Sequence, residues 1–435
     1  MPKRERRAKL IITETEPVPL IKDFNTFLNY LVENKPYLTK KKGVIPPKVI
    51  YQINQLMSSP NMENTPRTHQ DLYPKLHLFY HLVFSGKLFK KVSKGSSRTV
   101  VQKTDRMDEY LKLTLTEKYF FLLETFWVDC DWNEFGGENR PRFEYMVQDV
   151  EGILKLIAKM RPGKTIFLEG KLKQFFNWIA FEHPFMRYLS LFGFFKLTRD
   201  DELHAKMMGT KKDFVIASLT PSSLGVTLAP ILCRRRPLEK WNLPLRQRIE
   251  GKILSFPGLE ADEQNEKLYV PFFKAFTKFF PEGELQKTLS RKTKELIKGT
   301  FIFKVSLGGI WRRIAISGED TLEELHVAIN NAFDFDFDHL YAFFMDGKRW
   351  SHNAINAPQC DEGPYTDDLK IGELDLSVGQ QFLYLFDFGD EWCFWVKLEK
   401  IRKDEPGPPE PKIIESKGEA PQQYPSYWDD GEEGD

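Results

Sequence analysis

Cysteine is scarce in this 435-residue chain: Cys130, Cys233, Cys360 and Cys393 are all it has, and no two form a C-x-x-C pair. Neither a zinc ribbon nor a thioredoxin-type site is indicated, and the usage fits a reducing compartment, so a cytoplasmic protein is expected. Long apolar runs are also missing. None reaches the length of a membrane-spanning helix, so no membrane partner is expected. The N-terminal M-P-K-R-E-R-R-A-K is basic but leads into no long apolar segment, which argues against a secretory signal. There is no nucleotide-binding glycine loop, no G-x-S-x-G elbow and no convincing paired-carboxylate site. These absences favour a non-enzymatic protein with no cofactor and no bound metal.

What is present is a division of charge. Residues 1–300 carry 51 Lys and Arg against 34 Asp and Glu, a net of +17; residues 301–435 carry 12 against 28, a net of −16. A basic majority suggests DNA or RNA as a partner. The acidic remainder suggests either a protein partner or an intramolecular contact with the basic part. Such attraction is screened beyond roughly 8 Å at physiological salt, so it acts only if the two parts touch.

Residues 1–20 read as a flexible basic tail, with Lys3, Arg4, Arg6, Arg7 and Lys9. Helical spacing of apolar residues predicts helices over 21–34, after Pro46-Pro47, and from Leu76 to Gly86. A strand L-F-K-K-V (88–92), a polar tip (93–98) and a return strand follow. Leu111, Leu113 and Leu115 alternate as a short strand, and Thr116 is placed to cap the next helix. Helix, hairpin, helix is the pattern of a winged-helix module, here 21–135. The order recurs over 140–236: a long helix across about 143–160, a helix near 184–192, G-F-F-K-L (193–197), a loop with Lys206, Lys211 and Lys212, then F-V-I-A-S-L (214–219). S-G-K-L-F-K and F-G-F-F-K-L read as diverged copies about 100 residues apart. A helical connector is expected over 237–299, with helices across 243–255 and 266–298. Its aromatic run, F-F-K-A-F-T-K-F-F (272–280), reads as core rather than as a base-stacking platform.

The remainder reads as an α+β roll, making the whole chain α+β. Phe301, Phe303, Val305 and Leu307 alternate as a strand, Gly308-Gly309 turns it, and Trp311, Ile314 and Ile316 return. Thr321 and Glu324 form a capping-box pair at the head of a helix. Further strands are expected at 340–345, at Lys348–Trp350, and in the run 382–400 broken at Gly389. The acidic segment 402–435 is expected to be disordered.

I-W-R-R (310–313), T-L-E-E-L-H (321–326), His339-Leu340 and D-F-G-D-E-W (387–392) occur here in one order. On these motifs residues 301–401 resemble the plasmid pRiA4b ORF-3-like family, and E-S-K-G-E-A-P-Q-Q-Y-P (415–425) is similar to tails in that family. The resemblance implies an α+β domain without an established activity, and it links the chain to prokaryotic mobile elements. The motif positions are Trp311, Arg312, Arg313, His326, His339, Asp387, Gly389, Asp390 and Trp392. Two family histidines are replaced here, by Phe394 and Tyr341, which weakens any metal reading.

Candidate sites follow from these patterns. His326, His339, Asp387 and Asp390 could serve a hydrolase or a metal-dependent reaction; the competing reading is that they tie helix to sheet. D-F-D-F-D (334–338) has the alternation of a cation loop, but His339 and Met345 stand where its glycine and glutamate belong, so it reads as a helix end. Of Arg312 and Arg313, pointing to opposite strand faces, one is expected to pair with Asp387 or Asp390. His77 and His81 sit at helical spacing without further ligands. Lys90, Lys91, Lys94 and Arg98 on the first wing, with Arg234, Arg235 and Arg236, are the candidate nucleic-acid contacts. The leading expectation is a nucleic-acid-binding or regulatory protein. A protein-interaction scaffold, with the acidic domain packed on the basic one, is the alternative.

Overall fold

The structure is a computed structural model, and it describes residues 9–424 except 41, 95–97, 137–145, 183, 207–214, 251–270, 291–295, 352–353, 362, 375 and 377. The fold is α+β, and the chain divides into two compact units, the first of residues 1–246 and 254–290, the second of residues 247–253 and 291–435.

In the first unit one order of elements occurs twice, the second time with a short helix between its last two strands. The first pass is α1 (Leu20–Asn34), β1 (Tyr37–Leu38), α2 (Pro47–Gln55), α3 (Pro74–Ser85), β2 (Phe89–Lys94) and β3 (Arg98–Lys103). After α4 (Asp105–Leu111), α5 (Leu115–Glu124) and α6 (Asn133–Gly136), the second pass begins. It runs α7 (Val147–Ile157), β4 (Ile166–Phe167), α8 (Gly170–Glu182), α9 (Phe185–Leu191), β5 (Phe195–Arg199), α10 (Asp201–Lys206) and β6 (Ile216–Pro221). Both passes build an antiparallel sheet with the last strand in the middle, β1-β3-β2 and β4-β6-β5. Helices α11 (Ser223–Arg235), α12 (Leu238–Trp241) and α13 (Leu243–Glu250) follow.

Aromatic packing holds this unit together. Phe126 stacks on Trp132 at 4.5 Å, Trp132 lies over Phe185, and Phe135 meets Tyr188 at 4.8 Å. The stretch between the two passes is thereby joined to α9 of the second. Phe272, Phe273, Phe276 and Phe280 are buried in the same core, as expected for that run.

Four expectations for this unit are corrected. The leucines at 111–115 form no strand: Leu111 ends α4 and Leu115 begins α5, so the alternation is two helix ends meeting. The cap is Thr114, not Thr116. Its hydroxyl accepts from the Glu117 N–H at 3.1 Å, and the Glu117 carboxylate accepts from the Thr114 N–H at 3.0 Å. No long helix covers the described part of 266–298; Phe272–Ala275 and Thr277–Phe279 are short 3-10 turns between Pro271 and Pro281. The described part of the N-terminal segment is not a free tail either, since Leu10 N–H donates to Phe279 O and Ile12 is buried. Replacing Thr114 with alanine should cost about 1 kcal/mol, read as a lower urea midpoint at unchanged slope.

The second unit contains β7 (Gly299–Leu307), β8 (Ile310–Ser317), α14 (Leu322–Phe333), β9 (Tyr341–Phe344), β10 (Ala354–Asn356), β11 (Gln381–Phe386), β12 (Trp392–Pro406) and β13 (Lys412–Lys417). They form one seven-stranded sheet, β10-β9-β11-β12-β7-β8-β13. Strand alternation places Phe303, Phe343, Phe382, Tyr384 and Phe394 on the face that packs with Leu325, Ile329 and Phe333 of α14. The Thr321–Glu324 capping box is present. Lys348–Trp350 is not a strand; it lies in the turn region after Asp346-Gly347. The segment expected to be disordered from 402 is ordered as far as 424. It completes β12, pairs β13 with β8, and anchors Tyr424 Oη on Asp338 at 2.9 Å. Residues 425–435 lie outside the described residues. No helix among the described residues is long and apolar enough to cross a membrane.

Candidate functional site

His326 stands on the face of α14 that packs against the sheet. Its Nδ1 lies 2.6 Å from Tyr384 Oη, and that hydroxyl donates to Asn330 Oδ1 at 2.8 Å. A tyrosine has one proton to give, so with Asn330 receiving it, His326 carries its proton on Nδ1 and donates to Tyr384. The imidazole lies flat on the Tyr341 ring, 3.7 Å between centroids. Tyr341 Oη bonds the Glu323 carboxylate and Thr366 Oγ1, and Thr366 donates to the same carboxylate at 2.7 Å. Burial lowers the His326 pKa to about 4, so the ring is neutral at pH 7. A neutral ring whose Nδ1 is held by a tyrosine ties helix to sheet.

His339 has other partners. Its Nε2 is 3.4 Å from Asp387 Oδ2 and 3.7 Å from Asp338 Oδ1. Asp387 takes a left-handed backbone, and its Oδ1 accepts from the N–H groups of Gly389 at 2.8 Å and Asp390 at 3.3 Å. D-F-G-D is therefore the turn from β11 to β12, with aspartate doing the folding. The two histidines share Phe386 as a ring neighbour, 6.1 Å from each, but among the described residues they have no carboxylate partner in common. Asp390 is exposed. Among the described residues no group of three or more His, Cys, Asp or Glu is placed to hold a metal. D-F-D-F-D is a helix end: Asp334 closes α14 in the left-handed conformation.

Neither arginine of I-W-R-R pairs with Asp387 or Asp390. Arg312 is buried over Phe333, and its guanidinium donates to the carbonyls of Ala332, Trp311, Lys417 and Gly418 at 2.8–3.3 Å. Arg313 faces the other way and bridges Glu399, at 2.7 Å, and Glu415. The motif therefore fastens β13 and the end of α14 to β8. Trp311 lies under Lys304 and Arg313, and Trp392 packs edge-on against Phe335.

The basic candidates separate. Lys90 and Lys91 are exposed on β2, and Lys91 Nζ lies 4.9 Å from the Phe84 ring centre and 5.2 Å from that of Tyr80. The backbones of Lys94 and Arg98 pair across the hairpin, but their side chains lie outside the described residues. Of the wing-two lysines, Lys211 and Lys212 and the side chain of Lys206 lie outside them too. Arg234 and Arg235 are exposed at the end of α11. Arg236 is not available to a ligand. It is buried, donates to Phe272 O and Pro271 O at 3.1 Å, and sits 4.2 Å over Trp241. Lys40 and Lys42 are basic residues that motif reading passed over. Both are exposed, and a side chain at Gly43 beside them would stand 4.0 Å from Lys91 Nζ. The K-K-K run at 40–42 was the available signal.

The helix preceding each hairpin is not presented to solvent. In α3 every residue from Leu76 to Val83 is buried, and α3 packs against α9, whose Phe185, Met186, Tyr188 and Leu189 are buried as well. His77 belongs to this interior. Its Nδ1 faces Gln70 Nε2 at 3.2 Å, its ring meets His81 edge-on, and burial lowers its pKa to about 3.

The comparisons bear on the second unit. Residues 301–424 match the family model for plasmid pRiA4b ORF-3-like protein. Among solved structures, a protein of unknown function from Methanosarcina mazei Go1 is 30% identical over 28% of this chain and 70% of that chain, with a TM-score of 0.24. No curated protein matches.

Proposed function

We propose that this chain, whose residues 301–424 belong to the plasmid pRiA4b ORF-3-like family, is a non-enzymatic nucleic-acid-binding protein that grips phosphates and does not read base edges in a duplex. One observation carries the reading: Lys90 and Lys91 on β2, and Lys40 and Lys42 in the stretch after β1, are all exposed in a region with a net charge of +17. The order of strands in the two small sheets supports reading the two passes as winged-helix modules. In such modules basic hairpin residues meet phosphates while the preceding helix enters the major groove. Here those helices, α3 and α9, are buried on each other, and the phosphate component is what remains. The family's plasmid association supports work near DNA.

Fluorescence anisotropy with full-length protein tests this. Two duplexes of unrelated sequence should bind within twofold of each other, with log affinity falling linearly against log salt. Lys90→Glu with Lys91→Glu should weaken binding at least tenfold and flatten the salt slope by about two. No binding at about 50 mM salt, or a tenfold preference for one duplex, defeats the reading.

A second reading, a protein-interaction scaffold, is favoured by the net −16 of residues 301–435. It gains if the full-length protein ignores every nucleic acid yet retains a basic partner protein through low-salt washing.

A further inference from the structure

β1 and β4 are edge strands; each carries an aromatic residue, and a leucine is next in the chain. Tyr37 is 48% exposed and Phe167 71% exposed, whereas Leu38 and Leu168 are buried. Successive strand residues point to opposite faces, so each leucine enters the core and each aromatic ring stands on the outer face of its sheet. The register extends that outer face across both sheets. Tyr37 lies opposite Val100, and Val100 opposite Val92. Phe167 lies opposite Ser218, and Ser218 opposite Thr198. Two residues before Val92 is Lys90, and two before Thr198 is Lys196; both are exposed, and strand alternation sets both on that same outer face.

The two sheets therefore repeat one surface: a ring on the first strand and an ammonium on the second, at matching register positions. Strand spacing and rise put the two Cβ atoms about 12 Å apart in each case. The copies have diverged in most other places, and the middle of the row is valine in one and serine-threonine in the other. The ring and the cation recur nonetheless. Charge selects the occupant. An aromatic face beside a flexible lysine suits a base stacked on the ring and a phosphate at the ammonium. Base faces are hidden inside a duplex, so the nucleic acid that can use the ring is single-stranded.

We infer that the outer faces of the two small sheets are duplicate stacking sites for single-stranded nucleic acid, with Phe167 and Tyr37 taking bases and Lys196 and Lys90 taking phosphates. The inference rests on the phosphate-binding reading above and adds the class of strand and the residues that meet the bases.

The test uses full-length protein with labelled oligo-dT and oligo-U of about 12 nucleotides and a duplex of about 20 base pairs. The expected order is single strand tighter than duplex at equal salt. Phe167→Ala should weaken single-strand binding roughly tenfold with an unchanged salt slope, Tyr37→Ala should act likewise, and Phe167→Trp should keep the affinity. Lys196→Glu should reduce the slope by about one. Both alanine variants binding single strands like the parent overturns this inference, as does duplex binding equal to single-strand binding. Persisting salt-dependent binding in those cases leaves the phosphate reading standing. Failure to bind any of the three probes overturns both. Phe167→Trp binding as weakly as Phe167→Ala would show a packing role instead of stacking, and also overturns the inference.

Discussion

Arg312→Ala is expected to destabilise the second unit by about 3 kcal/mol or more, which makes it among the most damaging single changes in the chain. The guanidinium has no carboxylate partner among its described contacts; it serves four backbone carbonyls. Two of these, Lys417 O and Gly418 O, belong to the end of β13 and the turn after it. A third, Ala332 O, is among the last carbonyls of α14, where no intrahelical donor remains and the helix dipole favours a cation. Alanine would leave the buried Ala332 carbonyl unpaired, release the other three, and open a space over Phe333. Lysine should not rescue the loss, because a point ammonium cannot fork between Ala332 and Gly418. Urea unfolding would report the stability, and hydrogen exchange at Lys412–Lys417 the local effect, with those amides losing protection first. A change below about 1 kcal/mol, or protection of β13 equal to the parent, would show that Arg312 does not hold the C-terminal strand.

Legibility in the sequence followed the distance over which each feature is determined. The Thr321–Glu324 cap and the β7–β8 hairpin are local, and the sequence marks each where it stands. β13 is not so marked. Its K-I-I-E-S-K is short, exposed and flanked by prolines and acids, and it becomes a strand because β8 offers an edge about 100 residues earlier. Arg313 shows the same limit, since its partners Glu399 and Glu415 are 86 and 102 residues away. Alternating leucines misled at 111–115 because two helix ends imitate a strand over five residues. At the candidate site the recurring F-K of S-G-K-L-F-K and F-G-F-F-K-L was visible, and it marks Lys90 and Lys196. Their aromatic counterparts Tyr37 and Phe167 lie in strands of two residues, too short for any periodicity to register. The burial of α3 was visible in part. H-L-F-Y-H-L-V-F has no polar face, and an apolar surface on all sides is what a core helix carries.

Acid should loosen both units through neutral buried histidines. His326 has its pKa lowered to about 4 and His77 to about 3, in each case chiefly by burial. An unfolded histidine takes a proton near pH 6.5. Below that pH the unfolded chain binds protons that the folded chain refuses, so stability falls as pH falls. For His326 the loss begins near pH 6.5 and is complete near pH 4, and a gap of that size is worth about 3 kcal/mol. His77 continues its loss to lower pH because deeper burial, with His81 beside it, lowers its pKa further. Asparagine at 326 can place an amide N–H near Tyr384 without titrating. His326→Asn should therefore be less stable than the parent at pH 7, through lost stacking on Tyr341, and the deficit should shrink by about 3 kcal/mol between pH 6.5 and pH 4. Carboxylates titrate over part of that range in both proteins, so the quantity to follow is the difference between the two urea curves at each pH. A difference that stays constant across the range would mean that His326 is protonated in the folded unit, with the Tyr384 contact made by an imidazolium.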